Sequence, residues 1–287
     1  MNGLAIAGGG LKCIAQIGAI KALNEIGIKF DLVAGTSSGA IMASLYAMEC
    51  SYEEMTTVIK EYYKKFTKFN LGKLTTAAFS FLTSGVAKVD GLIDNAGLEE
   101  LIKRFAKEHG IELINDTKIP MAIVAVDTIT AKEIVFVSKI PENKTENDFV
   151  YLSNVPLSTA VKASTAFPGF FPSCNYNGYN FIDGGTKNNL PTEPLKEIGA
   201  NKILTLSFEL DAYEPRKDLL AVLLRTCDIF SEDKVERSRR IADLNINISV
   251  PGASLLEVDN FDECCMIGYK AIMDRKDEII KLFKWLW

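Results

Sequence analysis

The stretch FDLVAGTSSGAIMASLY, from Phe30 to Tyr46, contains the pattern that decides the fold. Its apolar start, Leu32 to Ala34, predicts a short buried strand, and the apolar residues from Ala40 onward have helical spacing. Between them lies Gly35-Thr36-Ser37-Ser38-Gly39, which fits G-x-S-x-G. The two glycines allow a sharp turn that leaves the Ser37 hydroxyl uncrowded, and the start of the helix favours negative charge there.

A second glycine turn precedes this one. The apolar run Leu4 to Ala7 leads into Gly8-Gly9-Gly10, and a helical pattern follows as far as Gly27. This order predicts two parallel strands joined by a right-handed crossover, so the glycine loop and Ser37 are expected at the same edge of a sheet. Successive glycine amides at a helix start form an anion-binding concavity. Lys12 either adds positive charge there, toward a phosphate or an oxyanion, or is solvated.

The rest of the chain alternates helices and strands, with no linker and no internal repeat. We predict helices at 51–65, 97–107, 157–166, 193–197, 219–240 and 262–287, and strands at 120–126, 132–137, 180–182, 202–208 and 245–250. Residues 66–87 fit either a cap over the site or a packed helical part of the core. We predict one α/β domain over 1–287, with its core at about 4–210 and a C-terminal part at 211–287.

Composition argues against several classes of protein. The net charge of −5 gives no reason to expect a nucleic-acid partner. No apolar run is long enough to span a bilayer, and no basic segment typical of a signal peptide precedes the first strand. Six cysteines without a C-x-x-C pair indicate reduced thiols. These features predict a cytoplasmic location.

The chain has a single histidine, His109, so the Ser-His-Asp arrangement depends on that residue. It lies at the polar end of a predicted surface helix, where we expect it to stabilise the helix terminus. A catalytic Ser37 then needs a carboxylate base. Asp183, followed by Gly184 and Gly185 at a predicted strand end, is the strongest candidate, although Asp-Gly-Gly also fits a plain turn. Because a free Asp has a pKa of about 3.9, such a dyad needs a desolvated site with a strong oxyanion hole.

The same residue counts bear on metals and cofactors. One histidine and no cysteine pair leave carboxylates as ligands, so we expect no metal. The loop GGGLKC fits neither G-x-G-x-x-G nor G-x-x-x-x-G-K-[ST], the two nucleotide-binding glycine patterns. We expect no cofactor.

Four blocks of sequence together resemble the patatin-like phospholipases over about residues 4–210: GGGLK at 8–12, GTSSG at 35–39, ASTAFP at 163–168 and DGG at 183–185. The resemblance implies a three-layer α/β/α fold with a mainly parallel sheet, and a Ser-Asp dyad that hydrolyses lipid acyl esters through an acyl-enzyme. It implies the following roles: Ser37 as nucleophile, Asp183 as base, the backbone of Gly8, Gly9 and Gly10 as oxyanion hole, and Gly35, Gly39, Gly184 and Gly185 as motif glycines. The block at 163–168 is expected to pack near the site.

Two residues depart from the family pattern, in which the glycine loop commonly continues with Arg and Gly. Lys12 keeps the charge but lacks the planar fork of arginine, and Cys13 adds a side chain at a crowded turn. Two alternatives to a phospholipase therefore stay open. One is an esterase, thioesterase or acyltransferase acting on soluble acyl substrates, and the other is a non-catalytic module that binds an acyl or phosphate group.

The last ten residues, EIIKLFKWLW at 278–287, form an amphipathic pattern. One helical face contains Ile279, Ile280, Phe283, Leu286 and Trp287, and Trp285 lies opposite, near Lys281. Tryptophan beside lysine is typical of peripheral contact with a membrane surface. A C-terminal helix docked on the protein explains the pattern as well.

Overall fold

The computed structural model describes residues 1–66, 91, 95–142, 149–209, 219–251 and 260–284. These residues form a nine-stranded sheet and the helices around it. The strands are β1 Asn2–Ile6, β2 Leu32–Thr36, β3 Met121–Asp127, β4 Glu133–Val137, β5 Phe149–Leu152, β6 Cys174–Tyr176, β7 Tyr179–Asp183, β8 Lys202–Phe208 and β9 Leu244–Ile248. The helices are α1 Cys13–Glu25, α2 Ser38–Ala47, α3 Tyr52–Phe66, α4 Ala96–Glu108, α5 Leu157–Ser164, α6 Thr192–Glu197, α7 Leu219–Ile241, α8 Phe261–Met273 and α9 Lys276–Phe283.

The central strands of the sheet are parallel, as predicted. The order is β5-β4-β3-β2-β1-β8-β9, and β3, β2, β1, β8 and β9 all run in one direction. The strand β4 is antiparallel to β3, and β7 also pairs antiparallel with β3 at its carboxyl end. In the register of β1 and β2, Ile6 lies opposite Gly35. Both glycine-containing turns therefore leave the sheet at the same edge.

Both faces of the sheet are covered by helices. Successive residues of a strand point to opposite faces, so neighbouring residues of β1 lie in different buried clusters. In β1, Leu4 and Ile6 belong to one buried cluster, which includes residues of α1, α2 and α8. Ala5 lies in the other cluster, together with Leu195 of α6 and Val235 of α7. The prediction of a three-layer α/β/α fold is confirmed.

The prediction of one last helix over 262–287 is wrong, since the chain forms α8 and then α9, with a break at Asp274 and Arg275. The break turns α9 so that its apolar face docks on the start of the chain. Phe283 lies 5.7 Å, centroid to centroid, from the ring of Phe30, and its carbonyl accepts a hydrogen bond from the side chain of Asn2. The docked-helix interpretation therefore holds for residues up to 284.

Some of the sequence-based expectations concern residues that the structure does not describe, and two short strands were not predicted. The proposed cap lies almost entirely in 67–90, and Trp285, Leu286 and Trp287 also lie outside. The sequence analysis missed β5 and β6, which are only four and three residues long. Of the helices that the structure describes, none combines the length and the apolar character that a bilayer crossing requires.

Candidate active site

Ser37 occupies the turn between β2 and α2 in a conformation that L-residues rarely adopt, with φ 55° and ψ −128°. The close packing of the two flanking glycines explains why the turn needs them. A Cβ on Gly35 would lie 2.2 Å from the carbonyl oxygen of Gly39, and a Cβ on Gly39 would lie 2.3 Å from the carbonyl oxygen of Ile6. The start of α2 is thus pressed against β1, with Ser37 at its N-cap.

Ser37 and Asp183 meet directly, although they are 146 residues apart in the chain. The Oγ of Ser37 donates a hydrogen bond of 2.6 Å to Oδ2 of Asp183, and the other carboxylate oxygen accepts one of 2.7 Å from the amide of Gly185. Asp183 is 1% exposed. Its main-chain amide is bonded to the carbonyl of Ala166, which fixes the end of β7 beside the turn.

Burial raises the pKa of Asp183 to about 7, despite the hydrogen bonds from Ser37 and Gly185 that lower it. A carboxylate with its usual pKa near 4 is a weak base for a serine hydroxyl. A general base works best when its pKa lies near the working pH. The desolvation that a Ser-Asp dyad requires is therefore present around Asp183.

The block at 163–168 contributes a polar contact as well as packing. The Oγ of Ser164, which is fully buried, accepts a hydrogen bond of 2.9 Å from the amide of Ser37 and donates one of 2.6 Å to the carbonyl of Val124. It thereby ties the nucleophile turn to β3. Sequence reasoning assigned no polar role to this serine.

The glycine loop lies against Ser37. A Cβ on Gly8 would be 2.8 Å from the Cβ of Ser37. The amide of Gly8 donates to the carbonyl of Asn189 and that of Gly9 to Oγ of Ser38, at 3.2 and 3.0 Å. Gly10, with φ 57°, has an amide that donates to none of the residues that the structure describes. Of the three predicted oxyanion donors, the amides of Gly8 and Gly9 thus already have acceptors, whereas the amide of Gly10 has none among the described residues.

Two asparagines just after the DGG block hold the site together, and sequence reasoning missed both. The side-chain amide of Asn189 donates to the carbonyl of Gly8 at 3.2 Å. The carbonyl of Asn188 accepts from the hydroxyl of Thr36, and its side chain donates to Glu133. Their spacing after Asp183 was the available signal, because the loop that follows the base has to return past both glycine turns.

Lys12 and Cys13 are both buried, so the alternative of a solvated Lys12 is wrong. Burial raises the pKa of the Cys264 thiol to about 12, and the positive charge of Lys12 offsets a small part of this rise. Cys13 lies in the main hydrophobic cluster at the start of α1.

The side chains of Cys13, Cys50, Cys174, Cys264 and Cys265 are free thiols, as predicted. His109 caps the end of α4, and its polar contacts are with Cys50 and Glu54.

A serine hydroxyl bonded to a buried aspartate, beside a glycine loop on an α/β sheet, is the arrangement that the sequence resemblance implied. The sequence model of the family described as patatin-like phospholipase matches residues 4–196 of the chain. The match covers well over half of the protein. This chain belongs to the patatin-like phospholipase family.

Curated relatives agree with this assignment, and one solved structure has a similar fold. Neuropathy target esterase sws of Drosophila melanogaster is 28% identical over 207 residues, which cover 71% of this chain and 12% of the relative. Lysophospholipase nte1 of Emericella nidulans is 26% identical over an alignment of 296 positions. This alignment covers 93% of this chain and 17% of the relative. The chain thus spans less than a fifth of these relatives. The crystal structure of VipD from Legionella pneumophila has a similar fold, with a TM-score of 0.52, 15% identity, and coverage of 96% of this chain and 67% of that one.

Proposed function

We propose that this protein hydrolyses the carboxylic esters of phospholipids or lysophospholipids, with Ser37 as nucleophile and Asp183 as base. The observation that carries the proposal is the 2.6 Å hydrogen bond between Ser37 Oγ and the buried carboxylate of Asp183. The family supports the choice of a lipid ester, and so does the name lysophospholipase of the relative from Emericella nidulans. A serine next to a base is the usual arrangement for covalent acyl transfer.

The reaction would proceed in two steps, with one proton moving through Asp183 in each. First, Oγ of Ser37 attacks the ester carbonyl while Oδ2 of Asp183 takes the hydroxyl proton. The tetrahedral intermediate expels the alcohol, which receives that proton, and the acyl group remains on Ser37. Water then gives a proton to Asp183 and attacks the acyl-enzyme, and the fatty acid leaves as Ser37 regains its proton.

Gly10 differs from Gly8 and Gly9 in ways that suit a donor to the oxyanion. It has a left-handed conformation that favours glycine, and it donates to none of the described residues. The amides of Gly8 and Gly9 already have acceptors, and these bonds hold the loop beside Ser37. Donors fixed before the reaction stabilise a developing charge without reorganisation. We therefore assign the oxyanion to Gly10 and a supporting role to Gly8 and Gly9.

A further surface for peripheral contact with lipid would be α7, because α9 is docked on the protein and Trp285 to Trp287 lie outside the described residues. Ile229 and Phe230 are 60% and 75% exposed. One turn further on, Lys234 contacts Glu133, which in turn binds Asn188 of the loop after Asp183. The exposed apolar pair therefore lies on a helix that packs beside the catalytic loop. A lipid surface would bury this pair when it delivers its substrate.

The substrate class is tested by comparing vesicles with soluble esters. Release of fatty acid from phosphatidylcholine or lysophosphatidylcholine should exceed hydrolysis of short-chain nitrophenyl esters under the same conditions. The change Phe230→Glu should reduce turnover of vesicles and spare the soluble ester, whereas Met266→Glu, an exposed methionine on α8, should spare both. Preference for the soluble ester would indicate an esterase, thioesterase or acyltransferase. Binding without any turnover would indicate the non-catalytic module.

The pH dependence of kcat/KM should report the pKa of Asp183. The carboxylate must be ionised to accept a proton, and burial raises its pKa to about 7. Activity should therefore rise with pH, reach half of its maximum near pH 7, and fall about tenfold per pH unit well below that value. The measurement uses an ester that the enzyme turns over, at constant ionic strength. A profile that is flat from pH 5 to 8 would contradict the assignment.

A further inference from the structure

Two potential metal ligands four residues apart and a third from a distant part of the chain converge where α2, α3 and α4 meet. Cys50 follows α2, Glu54 lies in the first turn of α3, and His109 caps α4. The Sγ of Cys50 lies 3.6 Å from Nε2 of His109, and that nitrogen lies 3.4 Å from Oε1 of Glu54. The three ligand atoms all lie within 4.8 Å of one another.

These distances fit the edges of a metal coordination shell. In a tetrahedral site with a Zn–S bond of about 2.3 Å and Zn–N and Zn–O bonds of about 2.0–2.1 Å, the S···N edge is about 3.5 Å and the N···O edge about 3.3 Å. The observed Cys50–His109 and His109–Glu54 separations differ from these by about 0.1 Å. These two pairs could therefore bind an ion with little movement. The third pair, Cys50 and Glu54, lies within 4.8 Å, and the exposed side chain of Glu54 would adjust to complete the shell.

Glu54 is already oriented for this role by a capping box. Its Oε2 accepts a hydrogen bond of 2.7 Å from the amide of Ser51, and the hydroxyl of Ser51 accepts one from the amide of Glu54. Bonds of this kind orient a ligating carboxylate. Cys50 is buried, whereas the side chain of Glu54 is 43% exposed, so the cluster is open to solvent on one side. An ion has a path to the site.

The charges around the cluster suit a divalent cation. Cys50 is buried, and the carboxylate of Glu54 belongs to the same cluster. A bound transition metal deprotonates such a thiol. The thiolate and the Glu54 carboxylate would then carry two negative charges against the two positive charges of the ion.

We propose that Cys50, Glu54 and His109 bind a divalent transition-metal ion, zinc in particular, with water as the fourth ligand. Cysteine, histidine and carboxylate are all ligands that zinc accepts. The ion would join the loop after α2 to the start of α3 and the end of α4. The ion would stabilise this junction, and α2, whose other end begins next to Ser37, is one of the elements that it would hold. The sequence-based expectation of no metal rested on residue counts, which cannot show this convergence.

The test titrates metal-free protein with Zn²⁺ and, separately, with Co²⁺. We expect one ion per chain, a higher Tm with zinc, and a thiolate-to-cobalt charge-transfer band in the near ultraviolet. Affinity should fall at least about tenfold in Cys50→Ser and in His109→Gln, while Cys174→Ser, which removes another buried thiol, should bind normally. His109→Gln keeps the test valid if Cys50→Ser does not fold.

Two results would overturn the metal site. One is equal zinc affinity and stoichiometry in the wild type and in folded His109→Gln. The other is a cobalt complex without the thiolate band. The readout does not depend on activity, so a Ser37→Ala variant should bind zinc like the wild type. Failure of the proposed hydrolysis and failure of the metal site are thereby distinguishable.

Discussion

Ser37→Ala and Asp183→Asn are each expected to lower kcat for ester hydrolysis by about 10,000-fold or more, because the two groups act as a unit. The first change removes the nucleophile. The second replaces the carboxylate with a neutral amide, which cannot accept the proton of the Ser37 hydroxyl. For the same reason, the double variant should lose no more activity than the worse single variant. The measurement is fatty-acid release under saturating substrate.

Ser44→Ala is the matched control for these variants. Ser44 is a fully buried serine of α2, the helix that begins at the nucleophile, and its hydroxyl bonds the carbonyl of Ala40 within that helix. Its loss should leave kcat within a few-fold of the wild-type value. Near-normal activity of either dyad variant, with the fold intact by circular dichroism, would refute the dyad.

Gly39→Ala is expected to damage both the stability and the activity of the protein severely. The added Cβ would lie 2.3 Å from the carbonyl oxygen of Ile6 and 2.6 Å from that of Ala7, and backbone atoms of a central strand cannot move aside as a side chain can. Overpacking costs up to about 3 kcal/mol even where side chains can adjust, so we expect the free energy of unfolding to fall by about 3 kcal/mol or more. Tm should fall by roughly 6 °C or more, and activity should be lost with it.

A second glycine separates this packing effect from loss of backbone freedom. Gly110 has φ +73°, and a Cβ there would meet nothing within 4 Å. Gly110→Ala should therefore lower the free energy of unfolding only by the penalty for a left-handed alanine, about 1–2 kcal/mol. Thermal unfolding of the two variants gives the comparison. Equal stability losses would mean that α2 is not pressed against β1 as described.

The features that sequence predicted are those encoded by local pattern. The turn around Ser37 was predictable because a strand, two glycines and a helix follow one another within a few residues. The parallel pairing of β1 and β2 followed from the same order of elements. Asp183 was already the strongest candidate for the base from its position before two glycines, and the family resemblance strengthened that choice. The strand with which it pairs and the depth at which its carboxylate is buried were visible only in the fold.

The features that sequence missed depend on contacts between distant parts of the chain. Ser164 bonds the amide of Ser37, 127 residues away, and Asn189 bonds the carbonyl of Gly8, 181 residues away. His109 was correctly placed at a helix end, but its neighbour Cys50 was visible only in the fold. The break between α8 and α9, at Asp274 and Arg275, had no proline or glycine to mark it in the sequence.

The most direct test of the central claim, an activated Ser37 paired with Asp183, is the intact mass of the protein after treatment with a lipophilic fluorophosphonate. Such a reagent modifies a serine whose hydroxyl is activated as a nucleophile. We predict one adduct per chain, mapped to Ser37 by peptide analysis and strongly reduced in Asp183→Asn. An unmodified folded protein, both with and without lipid vesicles, or an adduct on another residue, would contradict the claim.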